Sequence, residues 1–135
     1  MNSKKCYILS SLSILYMILI FYLSSLSRPI EYELPFGTDK VLHLIEYAIL
    51  GFIVSWSLRE WGIRSYSVIA WSIATVYGLS DEIHQSFVPG REASLADFLS
   101  DFTGGFIGVR LQQMMYNITA SISGKDNNVR KTQKA

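Results

Sequence analysis

The sequence predicts an all-α membrane protein, a four-transmembrane-helix bundle with both termini cytoplasmic. Three observations carry that expectation. Half of the 135 residues are hydrophobic and only 17% are charged. The apolar residues fall in long blocks, as helices that meet lipid require. The basic residues divide unevenly between the segments that join the blocks. A net charge of +1 gives no global field to attract nucleic acid. Cys6 is the single cysteine, which excludes an intrachain disulfide and any multi-cysteine metal site.

The first helix is expected over residues 7–26. Lys4 and Lys5 precede an uncharged run as long as the ~20 apolar residues that a helix needs to cross a bilayer core. A cleaved signal peptide would also start on basic residues. This run outlasts a usual signal core and no Ala-x-Ala site follows, so it reads as a retained helix. Residues 27–38 carry Pro29, Pro35 and Gly37 beside Glu31 and Glu33, and read as a loop. The second helix is expected over 41–58, interrupted by His43 and Glu46, and a charged turn with Trp61 follows at 59–64. The third is expected over 65–85, a Pro-Gly turn over 88–94, and the fourth helix over 95–116. Residues 1–116 thus form one membrane domain. Residues 117–135, rich in Ser, Asn and Lys, read as a disordered cytoplasmic tail.

Orientation comes from the cations. With the N-terminus inside, Lys4, Lys5, Arg59, Arg64, Arg110, Lys125, Arg130, Lys131 and Lys134 are cytoplasmic, against Arg28, Lys40 and Arg91 outside. The polar residues of helices 2, 3 and 4 then share the outer leaflet. Glu46 and Asp101 each lie about 10 Å below the start of their helix. Asp39, His43 and Glu46 fall on one face of helix 2, and Thr75, Gly78, Glu82 and Gln85 on one face of helix 3. Ser94, Asp97, Asp101, Gly105, Gly108 and Gln112 share a face of helix 4. Such stripes turn inward while apolar sides meet lipid.

Each polar residue has a structural reading beside the functional one. Asp39 at a helix start complements the dipole. Ser94-Leu95-Ala96-Asp97 fits a capping box with Asp97 at its fourth position. His43 fits a hydrogen-bonded core histidine. Glu46 and Asp101 have no capping role, and a carboxylate at that depth costs about 2.5–3.5 kcal/mol, so each must be paired, protonated or bound. Interhelical hydrogen bonding is their structural alternative. Asp81 and Glu82 close helix 3 at the negative end of its dipole, where carboxylates are disfavoured. Gly104, Gly105 and Gly108 suit close helix contact better than a phosphate cradle. His84 lies about 100° round the helix from Gln85 and is expected to face elsewhere.

Together Asp39, Glu46, Asp81, Glu82, Asp97 and Asp101 outnumber Lys40, Arg91 and His43. The excess calls for shared protons, a cationic ligand group or a hard divalent cation, with Asp81, Glu82, Asp97 and Asp101 as the candidate metal ligands. No other cofactor is indicated.

Asp39-Lys40-x-x-His43 is followed by Asp81-Glu82-x-x-Gln85-x-Phe87-x-Pro89-x-Arg91-x-x-Ser94-x-x-Asp97 and by Gly104-Gly105. This combined pattern resembles the VanZ-like family of bacterial membrane proteins. Asp101 departs from it, standing where the family pattern usually has Asn, and makes the site here more acidic. The resemblance implies a multi-pass protein of the bacterial cytoplasmic membrane. It also implies kinship with a founding member associated with low-level teicoplanin resistance.

Three functional expectations follow. The first is an envelope protein whose outward polar pocket, between helices 2, 3 and 4, binds a lipid headgroup, a cell-wall intermediate or a lipoglycopeptide. Its ligand-binding residues are Asp39, Lys40, His43, Glu46, Asp81, Glu82, Gln85, Arg91, Asp97 and Asp101. Lys40 and Arg91 would meet anionic groups and the carboxylates cationic ones. The second is an intramembrane hydrolase or transferase acting on a lipid-linked substrate. There His43 or Glu82 is the general base, Arg91 stabilises developing charge, Gln85 orients the substrate, and water attacks. The third is a proton-coupled transporter relaying through Glu46 and Asp101. The oligomeric state stays open under all three.

Overall fold

Each of the four apolar runs becomes a helix in the computed structural model, which describes residues 3–27 and 37–132, with side chains to residue 123. The helices are α1 (Ser3–Ser24), α2 (Thr38–Glu60), α3 (Tyr66–Gln85) and α4 (Leu95–Thr132), and no strand occurs among the described residues. The Pro-rich loop with Arg28, Glu31 and Glu33 lies outside the described residues, apart from its two ends. So do the chain termini and the side chains of Lys125, Arg130, Lys131 and Lys134.

The turns follow from their residues. After α2, Gly62 takes φ 75°. Its N–H bonds Arg59 O at 2.8 Å while the Ile63 N–H bonds Leu58 O at 3.2 Å, the paired pattern of a Schellman motif. After α3, Val88-Pro89-Gly90-Arg91 closes with Arg91 N on Val88 O at 3.1 Å and Gly90 at φ 78°, a type II turn. Ser94 opens α4, its Oγ 3.4 Å from the Asp97 amide.

α4 departs from expectation at its far end. It runs to Thr132, through a stretch whose composition suggests a disordered tail. Beyond Tyr116 that stretch has no proline and a single glycine, Gly124, so nothing in it stops a helix already nucleated. The whole of α4 is about 57 Å long, nearly twice a bilayer core.

α2 is the central helix and packs most extensively on α4. The backbones meet there: a Cβ on Gly104 would run into Leu44 O, one on Gly108 into Ala48 O, and one on Gly51 into Gly105 O. The core gathers Tyr47, Leu50 and Val54 of α2, Ala70 and Ala74 of α3, Val109 of α4 and Ile20 of α1. Outside, large apolar side chains are exposed on every helix, among them Ile8 and Leu15 on α1, Val41 and Ile45 on α2, Val68 and Ile83 on α3, and Leu99 and Leu111 on α4. α1 and α2 are each long and apolar enough to cross a membrane.

Candidate functional site

The polar stripes of α2, α3 and α4 converge on His43. It is buried, and its Nδ1 lies 2.9 Å from Asp101 Oδ1 and 3.9 Å from Glu82 Oε1. Asp101 is 0% exposed. Gly78 makes room for it, since a Cβ there would stand 2.9 Å from Asp101 Cβ and 3.2 Å from the Tyr47 ring. Nearer the helix ends, Lys40 Nζ donates to Asp97 Oδ1 at 2.9 Å, with 40% of the lysine side chain exposed.

The capping box is only half formed. Ser94 Oγ serves the Asp97 amide, but the Ser94 N–H donates to Glu82 Oε2 at 2.7 Å rather than to Asp97. An acid of α3 thus supplies the return bond and leaves the Asp97 carboxylate for Lys40. That bond also offsets what Glu82 loses at the negative end of α3. Asp81, its neighbour, accepts from Gln85 Nε2 at 2.8 Å. Gln85 Oε1 in turn accepts from Arg91 Nη1 at 3.4 Å.

Arg91 has a further task that its motif position conceals. Its Nε donates to Leu26 O at 3.2 Å and its Nη2 to Leu23 O at 2.9 Å, closing the carbonyl end of α1. A cation there also complements the α1 dipole. His84 faces away from the cluster, as expected. Its Nε2 is 2.9 Å from Ser25 Oγ and its ring lies 4.5 Å from Phe21.

A cavity of about 320 Å³ opens beside this network. Its wall includes His43, Glu46, Asp81, Gln85 and Arg91 together with Tyr16, Leu23 and Ser24 of α1. The expected pocket between helices 2, 3 and 4 is therefore corrected. Those helices share the buried polar cluster, whereas the open space lies between α1, α2 and α3. Asp97 and Asp101 stand behind His43, because the α2–α4 contact is too close to leave a gap. Glu46 lines the cavity half-buried, and its carboxylate accepts no hydrogen bond among the described residues.

Four side chains in this region hold buried polar atoms without a hydrogen-bond partner among the described residues: Ser24 Oγ, Tyr47 OH, Glu82 Oε1 and Asp101 Oδ2. Such an atom costs about 1–3 kcal/mol, and more when it belongs to a charged group. Sequence reasoning missed Tyr16, Ser24 and Tyr47. α1 has no polar stripe to show which way it faces, and tyrosines in apolar runs read as packing. The candidate metal ligands also regroup. Asp81 stands apart on Gln85, while ligand atoms of Asp39, His43 and Asp97, and of His43, Glu82 and Asp101, lie within 4.8 Å of one another in each set.

Residues 8–117 match the model of the VanZ/LLP1 family, a span that takes in all of α2 and α3, most of α1 and the part of α4 that bears the site. No curated protein and no solved structure matches the chain. That span is most of the chain, and the chain belongs to the VanZ/LLP1 family.

Proposed function

We propose that the chain is a four-span protein of the bacterial cytoplasmic membrane, with both termini inside. Its cavity between α1, α2 and α3 holds the headgroup of an envelope lipid or lipid-linked cell-wall intermediate. One observation carries this reading: the Glu46 carboxylate, without a hydrogen bond among the described residues, lines the same largely apolar cavity as the Arg91 guanidinium. A ligand bearing an amine and an anionic group near one another meets both charges there. The apolar exterior of all four helices supports the bilayer setting. So does the pairing of Lys5 with Glu60 at 3.0 Å, at the end of the bundle opposite Lys40 and Arg91. A cavity of about 320 Å³ suits a headgroup at the small end of ligand sites. Of a lipoglycopeptide it would take one group only. Any bearing on teicoplanin-type resistance would then run through such a group or through the lipid.

The test is mass spectrometry of lipids that co-purify in mild detergent, comparing wild type with Glu46→Gln and Arg91→Ala. Glu46→Gln keeps shape and removes charge, and a bound amine-bearing lipid should fall about tenfold, the equivalent of ~1.4 kcal/mol. Equal lipid content in all three proteins would sink the reading. Cleaved lipid in the wild type, lost in His43→Ala, would favour the hydrolase instead. That alternative draws on two features: Asp101 orients His43, and Ser24 stands in the same cavity wall.

A further inference from the structure

Hydrogen bonding leaves the His43, Glu82 and Asp101 cluster incompletely satisfied. Glu82 and Asp101 are 4% and 0% exposed, and each keeps one carboxylate oxygen without a hydrogen-bond partner among the described residues. The orphaned Glu82 oxygen is Oε1, the one 3.9 Å from His43 Nδ1. With both carboxylates ionised, two anions facing one imidazole leave a net negative charge in a buried cluster even when the imidazole is protonated. A divalent cation in the place of the Nδ1 proton would bring the three groups to neutrality.

The geometry points to a single transition-metal site, of the zinc or manganese class, held by His43, Glu82 and Asp101. Around an ion with bonds of about 2.0–2.2 Å, ligand atoms stand about 3.0–3.5 Å apart. The 2.9 and 3.9 Å separations from Nδ1 bracket that distance. An imidazole nitrogen with two carboxylates suits zinc or manganese better than calcium, which takes six to eight oxygens, or magnesium, which keeps its waters.

The neighbouring set, Asp39, His43 and Asp97, is the weaker choice because Lys40 already places an ammonium 2.9 Å from Asp97. Asp97 of the outer set thus has a lysine beside it, whereas the inner acids face the imidazole of His43. Each ligand of the inner set comes from a different helix, α2, α3 or α4, so an ion there ties three helices at one point. The Glu82 bond to the Ser94 N–H supplies the outer support that orients a metal-binding carboxylate. His43 also borders the cavity, whereas Glu82 and Asp101 are not among its lining residues.

The experiment is metal analysis of the full chain, purified in mild detergent after equilibration with zinc or manganese and removal of free ion. Melting is then followed with and without a chelator. Wild type and His84→Ala, whose imidazole lies outside the cluster, should carry about one ion per chain and melt lower after chelation. Asp101→Asn and Glu82→Gln should lose the ion and the chelator response while staying monodisperse and helical. Should one of them fail to fold, the other carries the comparison. Folded wild type without stoichiometric metal, or equal metal in wild type and both variants, overturns the assignment. Lipid content is read on the same samples, so an empty cavity and an empty metal site are distinguished.

Discussion

Where α4 crosses α2, glycines let backbone lie against backbone. α1 is held by side chains that reach across to main chain or to one another. Cys6 Sγ donates to Glu60 O at 3.3 Å, Tyr16 OH to Glu46 O at 3.2 Å and Tyr77 OH to Met17 O at 2.6 Å. Ser10 and Ser57 share a hydrogen bond at 3.0 Å. Arg91 closes the end. Close backbone contact has no slack, so the α2–α4 seam fixes His43 against Asp101. Side chains reaching across a gap keep the gap, and the cavity lies there. One seam makes the buried charge cluster possible and the other leaves a way to it.

The largest effect should come from breaking the tight seam. Gly108→Leu places a branched side chain where a Cβ alone meets Ala48 O. Neither backbone can yield without parting the helices, so the loss should reach about 3 kcal/mol or more. It should be read as a fall in melting temperature in detergent, and the lipid signal should vanish with it. A protein that melts within ~1 kcal/mol of wild type would mean that the seam is not where the structure has it.

Much of this was legible beforehand, and the misses have physical causes. Helix number and order follow from the apolar blocks, and His43, Glu82 and Asp101 meet as helical phase requires. α1 and α2 take in residues ahead of their apolar runs because polar first turns escape a hydropathy reading. Lys5 already lies within α1, where it finds Glu60 and the Trp56 ring, 5.5 Å from its Nζ. α2 begins at Thr38, taking Asp39 and Lys40 into its first turn. The cavity was not legible, since the serines and tyrosines of α1 repeat without a phase that names a face. Nor was the role of Gly51, a lone glycine in an apolar run. Glu82 serving Ser94 was hidden because a local pattern, the capping box, already accounted for that amide.

On the open side the effects should be smaller. Arg91→Ala removes one bond to the Leu23 carbonyl in the last turn of α1 and one to the Leu26 carbonyl just past it, at an exposed end where water can replace them. A loss of about 1 kcal/mol is expected, less than a buried charged hydrogen bond would give. Hydrogen exchange should place it, with amides in the last turn of α1 exchanging faster while those of α2 beside Gly104 and Gly108 do not change. Equal acceleration in both helices would mean that α1 and the α2–α4 pair open as one unit.

Tyr77→Phe should show the smallest effect and discriminates most finely. Tyr77 packs against the core, and its hydroxyl donates to Met17 O. Met17 lies within α1, so its carbonyl keeps the helix's own hydrogen bond when the hydroxyl is gone and no buried group is orphaned. The ring remains, so no cavity forms. What is lost is one interhelical bond between partners that have little else holding them, since α1 and α3 touch only slightly. Such bonds in membrane proteins contribute about 0.6 kcal/mol, and the melting temperature should fall by that little. Lipid retention should fall further than stability does, because the bond sets the spacing between α1 and α3, two walls of the cavity. If stability and lipid content fall in proportion, α1 is merely attached. If lipid content falls alone, α1 is the wall that sets the width of the site.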